Sequence, residues 1–213
     1  MTRQRRAMTL LEVIIALGIA FTLSMIVFQV VVPSFGLVQE GQIKTELQQQ
    51  GQFTIDRVSQ DLQNTVPTGI SLAFPAAAGE GMIVATHPIS PVLGAGILEF
   101  TQELIVVYHD EPNKRVWRKR FRNGMQPTGL TLPFTPFVAL QTTKGNLQQI
   151  CIATNGSEKS YALSVKTFMV EKEPTTGGEV YAIRMGLEKS IPGKKNRKAT
   201  VELFRKVMLR NHI

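Results

Sequence analysis

Apolar and polar positions divide the chain into three regimes. Residues 8–32 (MTLLEVIIALGIAFTLSMIVFQVVV) are almost entirely apolar, and no charge occurs from Val13 to Gln39. A helix crossing a bilayer core takes about 20 apolar residues, so this stretch predicts a membrane-spanning helix. Farther on, Leu37, Ile43, Leu47, Ile55, Val58, Leu62 and Val66 recur mostly at spacings of three and four. Lys44, Gln48, Gln49, Gln52, Ser59 and Gln63 fall on the opposite face. That pattern predicts an amphipathic continuation of the helix to about Thr65, where Pro67 and Gly69 end it. Pro33, Gly36, Gly41 and Gly51 are weak points along it.

After Gly69 the period shortens. Strand-like runs at 70–74, 82–85, 97–100, 104–109, 116–121, 137–141, 148–153, 161–170, 180–187 and 201–209 alternate with turn residues. Asp110-Glu-Pro-Asn-Lys114 reads as a hairpin turn, whereas 74–96 and 190–199 read as long loops. The expected class is α+β: a long N-terminal helix on an antiparallel sheet, with no second domain and no repeat.

Composition changes this picture little. The chain has 213 residues, 43% hydrophobic and 19% charged, as in a folded protein. Its net charge is +8, which suits nucleic acid, anionic lipid or an acidic protein surface without choosing among them. One cysteine, Cys151, excludes an intramolecular disulfide. It lies in an apolar run and reads as a small buried hydrophobe.

The N-terminus is more specific. An ordinary secretory signal has a shorter apolar core and a small-residue cleavage site after it, and 32–36 (VPSFG) offers none. A plain single-span anchor accounts for length and orientation, with Arg3, Arg5 and Arg6 on the cytoplasmic side. It leaves Glu12 unexplained, because a carboxylate in an apolar span is costly and usually functional. The segment Arg6-Ala7-Met8-Thr9-Leu10-Leu11-Glu12-Val13 resembles the signal of type IV prepilins and pseudopilins, where a basic leader ending in a small residue, usually Gly, precedes a mature chain usually starting with Phe. The resemblance implies cleavage between Ala7 and Met8 by prepilin peptidase and methylation of the Met8 amine. Residues 1–7 are then a leader, 8–35 the membrane or filament-core half of the helix, and 36–213 the head. Losing the leader's three arginines leaves +5. It also implies an assembly role for Glu12, pairing with the Met8 amine of a neighbouring subunit or with its own. The stretch 47–62 (LQQQGQFTIDRVSQDL) and the ending 207–211 (VMLRN) are similar to PilW-type minor pilins and J-type pseudopilins.

No chemistry stands out. His87, His109 and His212 are scattered, no cysteine or carboxylate lies at metal-ligand spacing, and no nucleotide-binding or nucleophile motif occurs. The expectation is a non-enzymatic chain without cofactor or metal. Two basic segments, 114–122 and 189–198, are the remaining candidates for contact with nucleic acid or a partner, through Arg118, Arg120, Arg122, Lys194, Lys195, Arg197 and Lys198. Strand alternation places the three arginines on one face and Trp117, Lys119 and Phe121 on the other. The resemblance thus implies a minor pilin or pseudopilin that starts or caps a type IV pilus or type II secretion filament. Its partners would be other pilins, prepilin peptidase and inner-membrane lipid. The alternatives are a pilus-borne DNA-uptake subunit and an unrelated single-span protein with an extracytoplasmic domain.

Overall fold

The computed structural model describes residues 9–73, 81–90, 100–101, 103–122, 151, 157–174, 179–193 and 196–209. One helix, α1, runs from Leu10 to Gln63, 54 residues, without interruption at Pro33. The chain divides into two compact units, one ending at Ile43 and the other beginning at Lys44.

In the first unit α1 is long and apolar enough to cross a membrane. Its large apolar side chains, among them Ile14, Phe21, Phe28 and Val32, are exposed. Its few hydroxyls are satisfied within the helix, as an apolar medium requires. Thr22 donates to the carbonyls of Ile19 and Gly18, Ser24 to Ala20 and Ser34 to Val30 at 2.7–3.1 Å.

In the second unit the rest of α1 buries a stripe, Leu47, Gly51, Ile55, Val58 and Leu62. The apolar spacing thus predicted the packed face from Leu47 to Val66, whereas Leu37 is exposed and one polar assignment is corrected. Ser59 is buried rather than solvated, and its hydroxyl caps the Ile55 carbonyl at 2.7 Å. Asp61 is buried too, which becomes affordable only through an arginine from the sheet. Gly51 is required by close packing: a Cβ there would fall 2.8 Å from Leu187 Cδ1 and closer still to Leu203. The helix ends at Gln63, and a single 3-10 turn at Pro67–Gly69 leads into the sheet.

Eight strands follow among the described residues, all paired antiparallel. Strands β1 (Ile70–Ala73), β2 (Ile83–Thr86), β3 (Glu103–Asp110), β4 (Arg115–Arg122) and β5 (Ser157–Leu163) form one sheet in chain order. Strands β6 (Val165–Glu173), β7 (Val180–Ser190) and β8 (Lys198–Met208) form a second. The architecture is α+β, as expected. One face of the larger sheet holds the cluster of Ala73, Ile83, Ala85, Leu104, Val106 and Phe121, with Tyr108 and Cys151 against it. The other face carries Val84, Ile105, Val107 and Val116, buried on the side of Arg118.

Three expectations change. The run 161–170 is two strands, not one, because Ser164 takes a left-handed conformation (φ 62°) and turns the chain from the first sheet into the second. The basic loop at 190–199 is shorter: β7 continues to Ser190 and pairs there with Lys198, and the turn uses Gly193 and Asn196 at φ 74° and 65°. Cys151 is helical rather than extended. The rest of 148–153, the run 137–141 and all of 97–100 except Phe100 lie outside the described residues. The hairpin at 110–114 is present; Asp110 accepts from the Asn113 amide at 3.3 Å and its side-chain nitrogen at 2.8 Å.

Candidate functional site

Two places gather chemistry. The first is the start of α1. Ala7 and Met8 lie outside the described residues, but Thr9 and Glu12 form a closed pair. The Thr9 amide donates to Glu12 Oε2 at 2.9 Å, the Thr9 hydroxyl donates to the same oxygen at 3.1 Å, and the Glu12 amide donates to Thr9 Oγ1 at 3.4 Å. This is a capping box, and it sets a carboxylate against the positive end of the helix dipole. Glu12 therefore has a local role, capping its own helix, that the resemblance to prepilins had obscured. The signal was in plain view, since Thr-x-x-Glu is the capping-box pattern.

The second place is a groove of about 790 Å³ in the second unit, between α1, β4 and β5. Arg118, Arg120 and Arg122 line it together, as alternation predicted. They are not simply solvated. Arg118 makes a two-pronged contact with Asp61 of α1, Nε to Oδ2 at 2.8 Å and Nη2 to Oδ1 at 2.9 Å. Those bonds to Asp61 raise the Arg118 pKa further above its usual range. Arg120 and Arg122 share Glu103 of β3, at 2.9 Å and 3.2 Å from their Nε atoms. Arg57 of α1 and Lys159 of β5 add two more cations. At one side Phe53 and Tyr161 pack edge to face, ring centres 5.9 Å apart, with Arg57 over the Phe53 ring.

The opposite face of β4 is used differently. Phe121 is fully buried in the core. Lys119 is 5% exposed; its ammonium donates to the Cys151 carbonyl, sits 3.3 Å from Glu158 and lies over the Tyr108 ring. A buried lysine is tolerated where a carboxylate and a carbonyl receive it. Burial pushes the Cys151 thiol up to about 12, which keeps it protonated. Burial, with the Glu158 carboxylate 2.5 Å from its hydroxyl, raises the Tyr108 phenol as well.

Of the other predicted cations, the described Arg197 and Lys198 do not line the groove. Lys198 begins β8 and contacts Glu188 at 2.5 Å, which lowers the Glu188 pKa. The Arg197 carbonyl accepts from the Ile191 amide. Lys194 and Lys195 lie outside the described residues. Among the described residues no group of three histidines, cysteines or carboxylates is placed to hold a metal.

His87 is the buried polar group that sequence reasoning left unassigned. It stacks on Phe100 with centroids 4.7 Å apart. Its Nε2 lies 2.5 Å from the Thr101 carbonyl; a carbonyl only accepts, so Nε2 carries the proton. Nδ1 is buried without a partner among the described residues. Desolvation lowers the pKa of His87, and of His109, whose Nε2 donates to the Val165 carbonyl at 3.3 Å.

Comparison of the chain with protein-family models, with curated proteins and with solved structures yields no match.

Proposed function

We propose that this chain is a minor pilin or pseudopilin: a non-catalytic subunit, anchored by α1 in the inner membrane with its head outside the cytoplasm, that helps start or cap a type IV pilus or type II secretion filament. The observation that carries this reading is a 54-residue helix, charge-free from Val13 to Gln39, that opens on Thr9-Leu-Leu-Glu12 directly after a basic leader. The long apolar helix followed by antiparallel sheets supports it. Glu12, held by Thr9, would meet the Met8 amine of a neighbouring subunit once Ala7 is removed, because opposite charges attract strongly in an apolar layer. The DNA-uptake alternative has less support, because Arg118 and Arg120 sit low, only 19% and 35% exposed, and do not stand out toward a duplex.

The test is processing. Co-expression with a prepilin peptidase, followed by intact-mass analysis of the membrane fraction, should give a chain beginning at N-methylated Met8. Recovery of only the uncut Met1 form, beside a control prepilin that is fully cut, defeats the proposal.

A further inference from the structure

The groove between α1, β4 and β5 carries an inference that stands apart from the filament reading. Five cations line it: Arg57, Arg118, Arg120, Arg122 and Lys159. Two carboxylates hold three of them, Asp61 on Arg118 and Glu103 on Arg120 and Arg122. The contacts of Arg57 are neutral, the Phe53 ring and the Gln60 side-chain oxygen at 3.2 Å. Lys159 is exposed and has no ion-pair partner among the described residues. Among the described lining residues Asp61 is the only carboxylate. The groove is thus an electropositive channel with three cations in excess.

We infer that this groove binds an extended, glutamate- or aspartate-rich segment of a partner protein. The occupant must be anionic by charge complementarity. Guanidinium groups already fixed by Asp61 and Glu103 present spare donors in a set geometry, which suits carboxylates. Arg122 is 61% exposed, whereas Arg118 and Arg120 sit low, only 19% and 35% exposed. They reach a thin chain entering the groove and not the convex outside of a duplex. Asp61 on the groove wall accepts hydrogen bonds, which favours a chain that also donates, as a peptide backbone does and a phosphodiester does not. β5 closes one side as an edge strand of its sheet among the described residues, with Ser160 beside the groove. An extended segment can therefore add main-chain bonds there while alternate carboxylates point inward. The Phe53–Tyr161 pair offers an apolar anchor at the end. A second copy of this chain is a poor occupant, because its net charge is +8.

The experiment uses the full-length chain in detergent micelles at low salt. A fluorescein-labelled peptide of about ten residues with glutamate at alternate positions is titrated by anisotropy, beside a glutamine version and an oligothymidine of equal length. The glutamate peptide should bind and the glutamine version should not. Arg57→Gln/Lys159→Gln should weaken binding roughly tenfold, and Lys159→Glu more, with unchanged circular dichroism, since neither side chain holds a carboxylate that ties helix to sheet. No binding of the glutamate peptide, equal binding by the variants, equal binding of the glutamine peptide, or tighter binding of the oligothymidine each overturns the inference. All of these read the groove directly, so none depends on whether the chain enters a filament.

Discussion

Asp61 and Arg118 join the helix to the sheet through two parallel hydrogen bonds, with side chains 11% and 19% exposed. The pair lies 57 residues apart in sequence and fixes which part of α1 faces β4. Two further ion pairs repeat the arrangement farther along the helix: Asp56 with Arg205 of β8, and Glu46 with Lys189 of β7 at 2.8 Å. These are exposed and contribute little individually. Of these three described helix-to-sheet pairs, Asp61–Arg118 is the one removed from water.

Cutting that pair on one side should therefore cost more than replacing it. Asp61→Ala leaves a half-buried guanidinium uncompensated and should destabilise the body by about 2–3 kcal/mol, somewhat below the cost for a fully buried pair. Asp61→Leu with Arg118→Met should lose less than Asp61→Ala alone. Urea unfolding of the three proteins, followed by β-sheet circular dichroism, ranks them.

The notch at Gly51 predicts a size limit. Gly51→Val forces a branched side chain onto Leu187 and Leu203 and should cost about 1–3 kcal/mol by overpacking. Helix propensity alone predicts the opposite sign, since glycine is the poorer helix former. Adding Leu203→Ala should recover part of the loss. Thermal melts of wild type, single and double variants check this.

Acid should weaken the body through its histidines before its carboxylates. Burial lowers the pKa of His87 and His109. Above the unfolded histidine pKa of about 6.5 both states are neutral and nothing is lost. Below it the unfolded chain takes up protons that the folded chain refuses, so stability falls with pH, by up to about 1.4 kcal/mol per unit per histidine. The fall ends below the depressed folded values. Urea midpoints between pH 7.5 and 5 should decline, and His87→Phe should flatten the decline even if it lowers stability at pH 7.5.

Glu12→Gln separates two roles of one side chain. The amide oxygen can still accept from Thr9, so the cap persists, while the charge is gone. On the proposed filament reading the variant should insert in membranes like wild type, yet appear in sheared filaments at less than about a tenth of the normal amount, as expected for an unpaired neighbouring amine in a low dielectric. Equal amounts would place Glu12's importance in the cap alone.

Legibility followed the range of the interactions. The packed stripe of α1 was readable because its burial repeats with the helical period, and the strands β2, β3, β4 and β7 because short runs rich in apolar residues stand between turn residues. The division of 161–170 into β5 and β6 was not, because it rests on one residue, Ser164, held at positive φ by its surroundings rather than by its own preference. The face shared by Arg118, Arg120 and Arg122 was legible from alternation; their partners Asp61 and Glu103 were not, since nothing local connects them.

The sequence by itself determined the apolar helix long enough to cross a membrane, its amphipathic continuation and the α+β class. All of these depend on residues within a few positions of one another. Only the tertiary structure decided that Asp61 is buried, that Lys119 lies inside beside Cys151, and that the arginines of β4 join Arg57 and Lys159 around one groove. Each of those outcomes depends on which distant side chain arrives to offset the cost of removing charge from water, and local sequence carries no record of that.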